Sequence, residues 1–163
     1  MRQSYHPQMK LGQVAIEDIR LNPRSRDDIP QVLRGLQWLY INEPVRTAIF
    51  TLLEAELQPE IDPQTGRPGM SYWEILVMGV LRLTLNWDYD ALHEQVNEHN
   101  TIRQMLGHSP LMPHEYGLQT LKDNVRLLTP KLLDQINEIV VKAGHTLVKK
   151  KKAKRSKAEL ILS

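Results

Sequence analysis

The sequence predicts an all-α protein, a compact bundle of about seven helices, and three observations carry that reading. Apolar residues recur at spacings of three and four through most of the chain, whereas the alternation of a half-buried strand is nearly absent. Two segments bear helix-start signatures, Ser71 with Glu74 and Thr129 with Pro130. The 163 residues are 41% hydrophobic and 25% charged, which suits one ordinary globular domain rather than a disordered chain.

Taken in order, residues 1–28 read as an irregular N-terminal arm in which Val14, Ile16 and Ile19 can pack on the body. The first helix is expected over 29–41, with Asp28 as N-cap, Pro30 in the first turn, and Val32, Leu33, Leu36 and Leu39 in one stripe. A second helix starts near Pro44 and carries Val45, Ile49, Leu52, Leu53 and Leu57 on its apolar face. Residues 58–69 hold Pro59, Pro63, Gly66, Pro68 and Gly69 and must be a loop. Ser71 and Glu74 then form a capping box, each side chain positioned to satisfy an orphan amide of the first turn. The helix it opens, over 75–85, is apolar almost all round, so it should be the buried centre. Ile75, Leu76 and Leu83 are expected among its most buried side chains.

A helix over 88–98 follows, amphipathic through Leu92 and Val96, then a short one over 101–106 that Gly107 ends. Residues 108–116 contain Pro110 and Pro113 and form a further loop. The helix over 117–128 turns Leu118, Leu121, Val125 and Leu128 inward. Thr129 as N-cap and Pro130 at N1 start the last helix, lined by Leu132, Leu133, Ile136, Ile139, Val140 and Ala143, with Gly144 as its expected C-cap. The helical body therefore spans 29–148, and residues 149–163 form a basic tail, disordered or a truncated linker.

Several function classes are excluded at this level. With no cysteine there is no disulfide framework and no thiolate metal site. The longest apolar run, Ile75 to Leu81, is far short of the about 20 residues that cross a bilayer, and the N-terminus has no apolar signal core. A cytoplasmic protein without a membrane segment is expected. His93 and His99, like His108 and His114, stand six apart, which does not place them on one helix face as paired ligands. They read as exposed or capping histidines, so no metal and no other cofactor is expected. Asp88, Asp90, Glu94 and Glu98 read as a solvated acidic face. No glycine-rich phosphate loop and no nucleophile paired with a base is visible, so no catalytic residue is assigned.

Charge and one helix face point elsewhere. The net charge of +2 divides into −4 over residues 1–148 and +6 over 149–163. Opposite the leucines of the 117–128 helix stand Gln119, Lys122 and Arg126. Gln and Arg have forked donors and acceptors that match adenine and guanine edges in the major groove, and Lys suits phosphate. A helix-turn-helix-like element built on this helix is compatible with the pattern. The same triplet also reads as a solvated polar face, and Asp123 beside it weakens the positive potential. In the tail, Lys149, Lys150, Lys151, Lys152, Lys154, Arg155 and Lys157 offer non-specific attraction to phosphate.

Five stretches carry a family resemblance: Gly69 through Leu81 (GMSYWEILVMGVL), Tyr89-Asp-Ala-Leu92, Arg103-Gln-Met-Leu-Gly107, Tyr116 through Val125 (YGLQTLKDNV), and Leu128 through Leu133 (LTPKLL). Together they resemble the N-terminal domain of bacterial insertion-sequence transposases, the ISNCY-type group within the DDE superfamily. The resemblance implies double-stranded DNA as partner, in the form of the element's terminal inverted repeats. It also implies that the catalytic Asp, Asp and Glu and their divalent metal belong to a separate domain. After residue 148 the only acid is Glu159, so none of those carboxylates maps onto this chain. The expectation is a truncated, non-catalytic DNA-binding part of a transposase. The alternative is an all-α protein-interaction or oligomerisation module, in which the same helices serve homo-oligomer formation.

Overall fold

The structure, a computed structural model, describes residues 11–22, 24–57, 70–111 and 114–151, with side chains of the last helix through residue 144. Seven α-helices and one short 3-10 turn make up the described residues, with no strand among them. They are α1 (Asp28–Ile41), α2 (Glu43–Glu56), α3 (Tyr72–Thr84), α4 (Tyr89–Glu98), α5 (Asn100–Met105), α6 (Leu118–Val125) and α7 (Pro130–Lys151). The loop expected over 58–69 lies outside the described residues.

Side-chain caps fix the helix starts. Asp27, one residue earlier than expected, caps α1 by accepting from the Ile29 amide at 3.2 Å, so Asp28 is the first helical residue. Asn42 serves two helices: its amide closes α1 on the Trp38 carbonyl, and its side chain accepts from Val45 to open α2. The capping box forms in full, with Ser71 Oγ accepting from the Glu74 amide and Glu74 Oε1 from the Ser71 amide, both at 3.1 Å. Thr129 Oγ1 accepts from Leu132 and opens α7.

The core is built round α3. Ile75, Leu76, Val77, Met78 and Leu81 are wholly shielded from solvent, because α1, α2, α4 and α6 all pack against this one helix. Trp73 donates its indole N–H to the Met105 carbonyl at 2.7 Å and meets Tyr40 and Phe50 edge-on, which ties α3 to α5, α1 and α2. Leu83 departs from expectation and is only partly buried. It shares the face of Leu76 but lies in the last turn, where the surrounding helices no longer cover it. Gly79 lets α3 approach the α6–α7 connection closely, for a Cβ there would stand 2.9 Å from Leu128.

Three further boundaries differ from the sequence reading. The α6 helix ends at Val125, not 128, because Leu127 and Leu128 close back on Asn124 and Val125 with three-residue bonds that tighten the turn. Leu128 is thereby pressed onto Gly79, whereas Leu118 is only half-buried. Gly144 does not cap α7, which runs on to Lys151. Its φ is not among the positive ones that a glycine cap requires, and no breaker follows before residue 151. Residues 149–151 therefore belong to α7 instead of the tail, and 152–163 lie outside the described residues. In the arm, Ile16 and Ile19 are buried as expected, held by Gln37, whose amide donates to both of their carbonyls at 2.8 and 3.0 Å.

Candidate nucleic-acid interface

The α6 helix packs on α3 and α4 through Leu121 and Val125, and its opposite side meets solvent. Gln119 and Arg126 are exposed and Lys122 is half-buried on that side. The three do not share one continuous helix. Arg126 is the residue after the last helical one, although its dihedrals (φ −58°, ψ −20°) stay helical and keep it near the face of Gln119 and Lys122. Gln119 gives one amide N–H to Asp123 at 2.9 Å, an i to i+4 bond that orients it along the helix. Lys149 to Lys151 occupy the last turn of α7, and Lys152, Lys154, Arg155 and Lys157 lie outside the described residues. The expected site is thus described in its helical part only.

The connections bear on the helix-turn-helix expectation. A short turn joins α4 to α5 through His99 alone and α6 to α7 through residues 126–129, whereas twelve residues separate α5 from α6. The α6 helix is therefore the first of a short-turn pair, with α4 beneath it, and does not hold the second, recognition position that a helix-turn-helix would give it.

What holds the start of α6 is a group of side chains that the sequence reading did not bring together. Tyr116, two residues before α6, makes five hydrogen bonds. Its amide donates to Asn97 Oδ1 at 2.8 Å, and its carbonyl accepts from His93 Nε2 at 2.8 Å and Asn97 Nδ2 at 3.1 Å. Its hydroxyl donates to Glu74 Oε2 at 2.6 Å and accepts from His108 Nε2. One hydroxyl proton cannot serve both neighbours, so giving it to Glu74 makes His108 Nε2 the donor and fixes that tautomer. Burial first, and then the adjacent Glu74 carboxylate, push the Tyr116 hydroxyl pKa well above the usual tyrosine value. Around this point Arg103 donates to the carbonyls of Val96 and His114, and the His108 and His114 rings stack 4.9 Å apart.

The histidines accordingly fall into different roles. His99 caps α5, its Nδ1 accepting from Ile102, and His114 is exposed, as expected of such residues. His108 corrects the expectation, being buried where its Nε2 meets the hydroxyl of Tyr116, itself bonded to Glu74 of α3. Among the described residues no three His, Cys, Asp or Glu side chains gather as a metal-ligand group. A cleft of about 350 Å³ opens beside the first turn of α6, lined by Glu74, His114, Glu115, Tyr116, Gly117 and Thr120. Its two carboxylates make it unsuited to a phosphate group.

No protein-family model, no curated protein and no solved structure matches this chain. No described helix is long and apolar enough to cross a membrane.

Proposed function

We propose that the chain is a DNA-binding module of the transposase N-terminal type, reading terminal inverted repeats through α6 and not catalytic by itself. The observation that supports it is the two-sided character of α6. Leu121, Val125 and Leu128 are fully buried, while Gln119, Lys122 and Arg126 remain available on the outer side. A helix fixed at its start by Tyr116 and along its inner face by α3 and α4 can present these groups to a groove with little loss of freedom. Arg126 then meets a guanine edge, Gln119 an adenine edge once Asp123 releases its amide, and Lys122 a phosphate. Since residues 1–148 carry −4, the basic run from Lys149 onward supplies the long-range attraction.

Binding to a duplex bearing the inverted repeat that flanks the gene, compared with a scrambled duplex, tests this reading. A clear preference for the repeat at near-physiological salt is expected. Equal binding to both duplexes would overturn it and leave the α6 face as ordinary solvated surface. Nuclease activity of the purified chain with Mg²⁺ or Mn²⁺ would contradict the non-catalytic part.

A further inference from the structure

We infer that the stretch before α1 is a second DNA contact, with Arg20, Arg24 and Arg26 entering the minor groove of A·T-rich duplex. The inference rests on the reading of the chain as a DNA-binding module, but not on α6. Inside the body the arginines are committed. Arg46 donates to the Tyr40 carbonyl and lies over the Tyr40 ring, Arg82 lies over the Tyr89 ring, and Arg103 holds the carbonyls of Val96 and His114. Arg20, Arg24 and Arg26 are different. All three are exposed, and among the described residues none of their guanidinium groups makes a hydrogen bond, an ion pair or a ring contact. Three uncommitted cations within seven residues, with no acid between them, repel one another and gain from a shared polyanion.

The backbone that carries them is fixed on either side. Ile19 is buried and its carbonyl accepts from Gln37, which ties the near end to α1. Asn22 Oδ1 accepts from the Arg24 amide at 3.0 Å, Ser25 Oγ from the Asp27 amide at 3.1 Å, and Asp27 caps α1. Arginines on such a backbone are offered with little ordering cost. The arginines also stand outside any helix, and that decides the groove. The minor groove, about 6 Å wide, excludes a helix of about 10 Å but admits a single non-helical chain. A·T runs narrow it further and raise its negative potential, which favours arginine because a guanidinium is more weakly hydrated than an ammonium. The neighbouring acids do not cancel this charge. Asp27 spends its carboxylate on the Ile29 amide and Asp28 stands in the first turn of α1, where both complement the helix dipole. Glu17 and Asp18 precede the buried Ile19.

Anisotropy titrations of the full chain on two duplexes that lack the inverted repeat, one A·T-rich and one G·C-rich, test the inference. The unmodified chain should bind the A·T-rich duplex about tenfold more tightly, and netropsin, which fills the minor groove, should remove that margin. Replacing the arginines together by Arg20→Lys, Arg24→Lys and Arg26→Lys keeps the charge and should also remove the margin, while circular dichroism and thermal midpoint stay unchanged. Equal affinity for the two duplexes, or a margin that survives netropsin or the lysine variant, would overturn the inference. So would an RNA duplex bound as tightly as the A·T-rich DNA, because the A-form minor groove is wide and shallow. The A·T margin without any preference for the inverted repeat over its scramble would support this contact and overturn the reading of α6 alone. The reverse pattern would overturn this contact and leave α6 standing.

Discussion

The Tyr116 hydroxyl donates to Glu74 across 2.6 Å, joining the approach to α6 to the carboxylate that closes the cap of α3. One glutamate thus fixes the start of the central helix with Oε1 and the start of the outward-facing helix with Oε2. Removing the hydroxyl leaves a carboxylate oxygen and His108 Nε2 without this partner in a buried place. Tyr116→Phe should cost about 1–3 kcal/mol, read from chemical denaturation. It should also alter the alkaline limb of stability. The folded protein holds the Tyr116 proton above the ordinary value of about 10, so the unfolded chain releases it first. That contribution is complete below about pH 10 and is lost as pH rises towards the raised folded value. The fall in unfolding free energy above about pH 10 should be shallower in Tyr116→Phe than in the unmodified chain.

Leu76 and Leu83 share a face of α3 but differ in cover, Leu76 being fully buried and Leu83 partly so. Leu76→Ala should therefore destabilise by about 2–5 kcal/mol and Leu83→Ala by less than half as much. Equal losses in denaturation midpoint would show that the centre of the core is misplaced.

Gly79→Ala offers a better helix former yet places its Cβ 2.9 Å from Leu128. The clash should win, with a net loss of about 1–3 kcal/mol, since Leu128 is wedged into the α6–α7 turn and cannot retreat. A rise in thermal midpoint would show that the turn yields.

How far the sequence foretold this can be argued from single residues. Ser71 acts on Glu74 and Thr129 on Leu132, each three residues away, so these caps were legible, as were the stripes of α1 and α2 and the all-round apolar character of α3. The Tyr116 cluster was not. Its partners come from positions 74, 93, 97 and 108, and no spacing rule joins residues that only the fold brings together. The one local signal was a tyrosine in a polar, proline-bounded loop directly before a helix. The early end of α6 was hidden for the same reason, because Leu128 leaves the helix to pack on Gly79, 49 positions earlier. At Gly144 a local rule misled, as glycine is tolerated inside a helix when no breaker follows.

Deleting residues 149–163 removes seven basic side chains, about 0.9 in salt slope for each phosphate they neutralise. Affinity should fall alike for repeat and random duplex, and log K against log salt should flatten by several units. Loss of the preference for the repeat on deletion would move specificity from α6 to the tail.

The central claim is that α6 reads sequence, and Arg126→Ala on two duplexes tests it most directly. In anisotropy titrations at fixed salt, the variant should bind the inverted repeat about 1–3 kcal/mol more weakly and random duplex almost as well as the unmodified chain. The same loss on both duplexes would contradict the account, for Arg126 would then be no more than a phosphate contact.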